Sequence, residues 1–132
     1  MVYKDWTLIL DFDSTIIKLE SLDLLAEVVF QNALDFSLKT LEIKKLTDEG
    51  MEGKISFQES LKKRLDILEL EQTHLNKAII LVTKLITPSF QKNIDWLKKN
   101  RDNILIFSGG FKDMIKPVAK ALGLKKENIY AN

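Results

Sequence analysis

The sequence predicts an α/β fold: a parallel sheet of about three strands, with an all-helical block inserted after the first strand. Three observations carry this. Two short apolar runs, Thr7–Leu10 and Asn103–Phe107, are built of strand-preferring residues and stop abruptly, the first at Asp11, the second at Ser108-Gly109-Gly110. A long stretch between them repeats apolar residues at helical spacing. Strands and helices then alternate towards the end of the chain, which implies parallel strands joined by right-handed crossovers. Residues 17–86 are too many for one crossover and read as a helical cap domain facing the strand ends. Residues 1–16 and 87–132 are left as a partial core of about three strands.

The bulk properties fit one soluble domain or less. The 132 residues are 45% hydrophobic and 30% charged, with a formal net charge of +1. That balance points away from nucleic acid as a partner. No apolar run reaches the roughly 20 residues a membrane helix needs, and Asp5, Asp11 and Asp13 near the start are unlike a signal peptide. With no cysteine there is neither a disulfide framework nor a thiolate metal site. A cytoplasmic location is the expectation.

In chain order, Trp6 is expected to cover one edge of the first strand. That strand should be buried on both faces, as in parallel sheets. Residues 20–33 read as a helix capped by Ser21, with Asp23 in its first turn. Residues 34–48 read as a second helix, with Leu34, Leu38, Leu41, Ile43 and Leu46 apolar and a stop at Gly50. Ser56 and Glu59 form a capping box that should start a helix running to Leu68, with Leu61, Leu65 and Leu68 inward. A further helix is expected over 73–86. Thr87-Pro88 is a cap followed by Pro at the first helical position, predicting a helix to about Lys99. A helix after Gly110 should run to Leu122, bend at Pro117 and close at Gly123. Residues 128–131 read as a third strand. His74 and the Lys98-Lys99-Asn100-Arg101 run have ordinary surface readings, the cations suiting a helix end.

The chemistry concentrates at the strand ends, where open α/β sheets bind ligands. Asp11 and Asp13 stand two apart after the first strand, so their carboxylates should point to one side. Like charges so placed repel unless a cation or a reaction uses them. Ser108, Gly109 and Gly110 follow the next strand. A hydroxyl and glycine amides before a helix make an anion site. Each feature also has an ordinary reading: Asp11 as a strand end, Ser14 or Thr15 as a cap, Ser108-Gly109-Gly110 as a tight turn, Phe57 as core, Arg64 as an ion-paired helix residue, Glu20 as an acid favouring a helix start.

Asp11-Phe12-Asp13-Ser14-Thr15 resembles the first motif of the haloacid dehalogenase-type phosphohydrolases, which carry a Rossmann-like core. Ser108-Gly109-Gly110-Phe111 is similar to the second motif, and Met51-x-Gly53, Phe57, Ser60-Leu61 and Arg64 resemble a cap segment of the phosphoserine phosphatases within that family. The resemblance implies that Asp11 is the nucleophile and Asp13 the general acid/base. Ser108, Gly109 and Gly110 would hold phosphate. Glu20 would take the substrate ammonium and Arg64 its carboxylate, beneath a lid of Met51, Gly53 and Phe57. Mg²⁺ would be held by Asp11 and the backbone carbonyl of Asp13. The implied reaction is hydrolysis of O-phospho-L-serine, a small-molecule substrate, through an aspartyl-phosphate.

The family's third-motif lysine and its late Gly-Asp-Gly-x-x-Asp motif have no counterpart in these 132 residues. Impaired turnover by this chain is therefore the expectation, as is self-association or a completing chain at the exposed sheet edge. Two alternatives stand beside the phosphoserine reading. One is a phosphatase or phosphotransferase acting on another small phosphomonoester. The other is a non-catalytic remnant that binds a phospho-ligand or a protein partner.

Overall fold

A computed structural model describes residues 5–31, 34 and 36–132. The start of the expected lead-in and the tail of the helix expected over 20–33 fall partly outside these residues. The elements run β1 (Leu8–Leu10), α1 (Ser21–Phe30), α2 (Phe36–Met51), α3 (Phe57–Leu68), α4 (Gln72–Val82), α5 (Pro88–Lys92), α6 (Ile94–Asn100), β2 (Ile104–Phe107), α7 (Lys112–Ala121) and β3 (Ile129–Tyr130). No described helix is long and apolar enough to cross a membrane.

The three strands form one parallel sheet in the order β1-β2-β3, with Leu8 opposite Ile104 and Ile106 opposite Ile129. This is the predicted open α/β sheet. Alternation along the strands buries Ile104, Ile106 and Ile129. The expectation that β1 is buried on both faces needs correction. Ile9 is 61% exposed, and Phe107 and Tyr130 are exposed and stacked at 4.7 Å. The same alternation that buries one set of side chains turns this set to the other face of the sheet. Trp6 stacks on Trp96 at 5.9 Å.

The chain divides into two compact units, residues 1–21 with 79–132, and residues 22–78. Residues 17–21 and 79–86, expected in the cap, belong with the sheet. Ile17 bridges Ile86, the Lys18 amide donates to the Leu85 carbonyl at 2.9 Å, and the Thr87 amide donates to the Ile16 carbonyl at 2.8 Å. These bonds tie both crossings of the chain to the sheet unit.

In the helical unit the Ser56 cap is present: its hydroxyl accepts from the Glu59 amide at 3.1 Å. The buried stripe of α3 is Ser60, Arg64 and Leu68, with Leu61 and Leu65 only half-buried. Two polar residues thus share a face the apolar spacing assigned to leucines. The second helix does not stop at Gly50 but continues to Met51. A Cβ on Gly50 would lie 2.9 Å from Ser60 Cβ, so this glycine lets α2 and α3 approach. The left-handed turn falls at Gly53, φ +73°. Leu34, Leu38 and Leu41 are exposed.

In the sheet unit the expected helix over 88–99 is two, broken at Asn93. The Thr87 hydroxyl makes no cap bond and donates instead to the Thr15 carbonyl at 2.8 Å. The helix after Gly110 runs through Pro117 and is closed by Gly123, φ +71°.

Candidate active site

The chain leaves β1 at Asp11 and turns at once. The Asp11 carboxylate accepts from the Phe12 amide at 2.7 Å, and Phe12 is fully buried beneath the turn. Ser14 adopts φ +55°, a left-handed conformation that costs a non-glycine residue of order 1 kcal/mol. Two bonds hold it there. Its amide donates to the Leu19 carbonyl at 3.0 Å, and its hydroxyl donates to the Glu20 carboxylate at 2.6 Å. Strain kept at a strand end is a frequent mark of a functional turn.

This turn directs Asp13 to the start of α1. The Ser21 amide donates to Asp13 Oδ1 at 3.0 Å and the Ser21 hydroxyl to Oδ2 at 3.1 Å. Ser21 is only 1% exposed. It was expected as the helix cap; it is the first helical residue, and Asp13 is the acid at the positive end of the helix. Burial pushes the Asp13 carboxyl up to about 6. The Ser21 hydrogen bonds oppose that rise, while the charges of Glu20 and Asp11 add to it. An acid in that range can both give and take a proton near neutral pH.

The glycine loop after β2 closes on the same point. A Cβ on Gly110 would lie 3.1 Å from Ser21 Oγ, 3.2 Å from Ser108 Oγ and 3.7 Å from Asp13 Oδ2. The loop is pinned from behind by Asn132. Its amide donates to the Gly110 carbonyl at 3.1 Å and its side chain to the Gly109 carbonyl at 2.8 Å. The Gly110 amide donates to Ser108 Oγ at 3.0 Å, which fixes that hydroxyl and leaves its proton available to a ligand.

Asp13, Ser108 and Gly110 are thus gathered at one place, with Glu20 bonded to Ser14 beside them. Asp11 lies on the surface of the same turn. Met51, Gly53, Phe57 and Arg64 belong to the helical unit. Met51 and Phe57 are exposed. Arg64 is 5% exposed, its Nε donating to the Ser60 carbonyl at 3.3 Å and Nη1 to Thr47 Oγ1 at 3.1 Å. Sequence reasoning missed Ser21 as a partner of Asp13, and also Asn132, Thr47 and Thr87. A hydroxyl eight residues after the second acid was the available signal for Ser21; nothing local marks the others.

The donors at the Asp11–Glu20 turn are all oxygens, the set a hard cation such as Mg²⁺ prefers. Among the described residues no three Asp, Glu, His or Cys side chains gather to cage a cation. The donor chemistry still fits Mg²⁺, which commonly takes one or two carboxylates and completes its shell with water and phosphate.

Comparison with known proteins identifies the family and the fold. Residues 8–132 match the model of the haloacid dehalogenase-like hydrolases. The chain belongs to that family. It is 34% identical to the phosphoserine phosphatase of Drosophila melanogaster over 122 residues, 92% of this chain and 42% of the fly protein. Among solved structures, a phosphoserine phosphohydrolase-like protein of Francisella tularensis superposes with a TM-score of 0.82 at 37% identity, over 96% of this chain and 57% of that one. A phospho-aspartyl intermediate analogue of phosphoserine phosphatase superposes with a TM-score of 0.70 at 34% identity, over 97% of this chain and 56% of that one. The chain spans about half the length of these relatives.

Proposed function

We propose that this chain carries the phosphoryl-handling part of a phosphomonoester hydrolase of the phosphoserine phosphatase type, acting on O-phospho-L-serine as a small-molecule substrate. The observation that carries the reading is the convergence of Asp13, Ser21, Ser108 and Gly110 on one point beside Asp11.

Asp11 is the nucleophile and forms an aspartyl-phosphate. Its carboxylate is exposed and oriented by the Phe12 amide. Asp13, held by Ser21 through both oxygens, gives a proton to the departing serine oxygen and takes one from the water that later attacks the aspartyl-phosphate. The Ser108 hydroxyl and the amide of Gly109 hold phosphoryl oxygens. The Asp11 carboxylate and the Asp13 backbone carbonyl would hold Mg²⁺, which when bound offsets the charge of the phosphate and the acids. Glu20, bonded to Ser14 in the first turn, would take the substrate ammonium, and on the helical unit Arg64 would take its carboxylate, with Met51, Gly53 and Phe57 as the lid; the order of these motifs in the sequence supports this assignment. A cytoplasmic setting suits a small-molecule enzyme of this kind.

The test is phosphate release from O-phospho-L-serine by the 132-residue chain, with Mg²⁺ and with chelator, beside Asp11→Asn. The expected result is slow, Mg²⁺-dependent release that falls by about three orders of magnitude or more in the variant. Release that survives Asp11→Asn overturns the reading. Saturable binding of phosphoserine with no release favours the ligand-binding alternative. Faster release from another small phosphomonoester favours a relative of different specificity.

A further inference from the structure

A second concentration of charge lies at the opposite end of the sheet. Residues 98–127 hold eight basic residues (Lys98, Lys99, Arg101, Lys112, Lys116, Lys120, Lys125, Lys126) and three acids (Asp102, Asp113, Glu127), a net +5, so the remainder of a chain whose total is +1 carries −4; of the eight, Lys112 opens α7 beside the glycine loop and does not belong to this end. Arg101 precedes β2 and Lys126 precedes β3, whereas Asp11 and Ser108 follow their strands. All belong to the same compact unit.

Here the surface is concave. A cleft of about 360 Å³ is lined by Arg101, Lys116, Lys120 and Lys126 around Pro117 and Leu124, with Gly123 between, and no acidic side chain lines it. Its floor is built. Gly123 closes α7 with φ +71°, its amide donating to the Lys120 carbonyl at 3.1 Å. The Leu124 amide returns to the Ala119 carbonyl at 2.9 Å, and Leu124 is buried. A Cβ on Gly123 would strike the Lys98 side chain, whose aliphatic stem crosses this corner.

Ordinary roles account for part of the charge. Lys120 in the last turn of α7 and Arg101 after α6 suit the helix dipoles. Lys116 leans on Asp113 at 3.5 Å and Lys125 pairs with Asp102. Lys126 has neither role, and Arg101, Lys120 and Lys126 make no ion pair among the described residues.

We propose that this cleft binds a nucleoside di- or triphosphate at a site separate from Asp11 and Ser108. Charge complementarity sets the class. Three cations without an ion pair among the described residues, beside Lys116, which Asp113 partly offsets, call for a ligand of several negative charges. The apolar floor of Pro117 and Leu124 calls for a flat or apolar body, which inorganic phosphate lacks. The volume is that of a small-molecule site and is short for a protein segment.

The experiment is calorimetric titration of the 132-residue chain with ADP, adenosine, pyrophosphate and an acidic peptide at 150 mM salt, repeated with Lys120→Glu, Lys126→Gln and Asp11→Asn. ADP is expected to bind saturably and more tightly than either fragment. Lys120→Glu should raise its Kd about tenfold, Lys126→Gln should raise it less, and Asp11→Asn should leave it unchanged. Lys126→Gln removes an exposed charge without reversing it, so it reports on the cleft even if Lys120→Glu misfolds. No saturable ADP binding overturns the proposal, as does binding indifferent to both lysine variants or lost with Asp11. Pyrophosphate binding as tightly as ADP overturns the role of the floor. Tighter capture of an acidic peptide than of ADP makes the cleft a protein-docking surface instead.

Discussion

At the carboxyl end of the strands stand Asp11, Asp13 and Glu20; at the amino end of the same unit stand Arg101, Lys120 and Lys126. The acids are packed by the chain itself, within ten residues, and the turn that holds them leaves Asp13 half-buried with like charges on two sides. The cations arrive from separate segments and all three are exposed, so water does most of the work of tolerating them. One end therefore costs stability and the other does not. A fold keeps a costly arrangement where it has a use for it. Measurements of stability should separate the two ends, and they can also break the contrast.

The largest effect is expected at Asp13. Its carboxyl is raised from 3.8 to about 6, chiefly by burial. The folded chain thus holds that proton more tightly than the unfolded chain does. The benefit is complete below pH 3.8 and is lost as pH rises through about 6. That difference corresponds to at most about 3 kcal/mol. Asp13→Asn is free of this loss. In metal-free urea titrations it should match the native chain near pH 4 and exceed it by up to that amount at pH 7.5. Its phosphate release should nonetheless fall by about 10²-fold or more. A variant whose advantage over the native chain is no greater at pH 7.5 than at pH 4 would mean that the acid end carries no such cost.

The next effect is steric. Gly110→Ala places a methyl group 3.1 Å from Ser21 Oγ and 3.2 Å from Ser108 Oγ. Both hydroxyls are committed, one to Asp13 and one to the Gly110 amide. The expected cost is about 1–3 kcal/mol, with phosphoserine binding weakened because Ser108 must shift. Should the variant unfold at the native urea concentration, the closeness of the two loops has little energetic weight.

How far this was legible in the sequence differs between the two units. β1 and β2, their parallel pairing and the acids and glycines at their ends follow from local signals: apolar runs cut off by charge or by glycine. The capping box at Ser56 is equally local. What escaped depends on contacts between distant residues. Ser21 looks like a cap until Asp13 is seen to occupy that place. Thr87 looks like a cap until Thr15 takes its hydroxyl. Arg64 looks like a surface cation, yet it lies on the buried stripe of α3 because Thr47 and the Ser60 carbonyl meet it there. The exposure of Ile9 could not be read from an apolar run, since period-two alternation is invisible when every residue is apolar.

The smallest effects belong to the amino end, and their smallness is the point. Lys120→Gln should cost no more than about 0.5 kcal/mol, the part due to the C-terminal dipole of α7. Lys126→Gln should change stability by less than that, because an exposed cation without an ion pair has little to lose. Neither difference should survive 1 M salt, where the screening length falls to about 3 Å. Urea titrations of both variants at low and high salt provide the check. A loss above about 1 kcal/mol that persists in high salt would place these lysines in the packing of the Gly123 corner, as the Lys98 stem is. The cleft would then be structural, and the contrast between an expensive end and an inexpensive one would fail. A salt-sensitive effect of a few tenths of a kcal/mol leaves the cations free to serve a ligand, because the fold itself makes so little use of them.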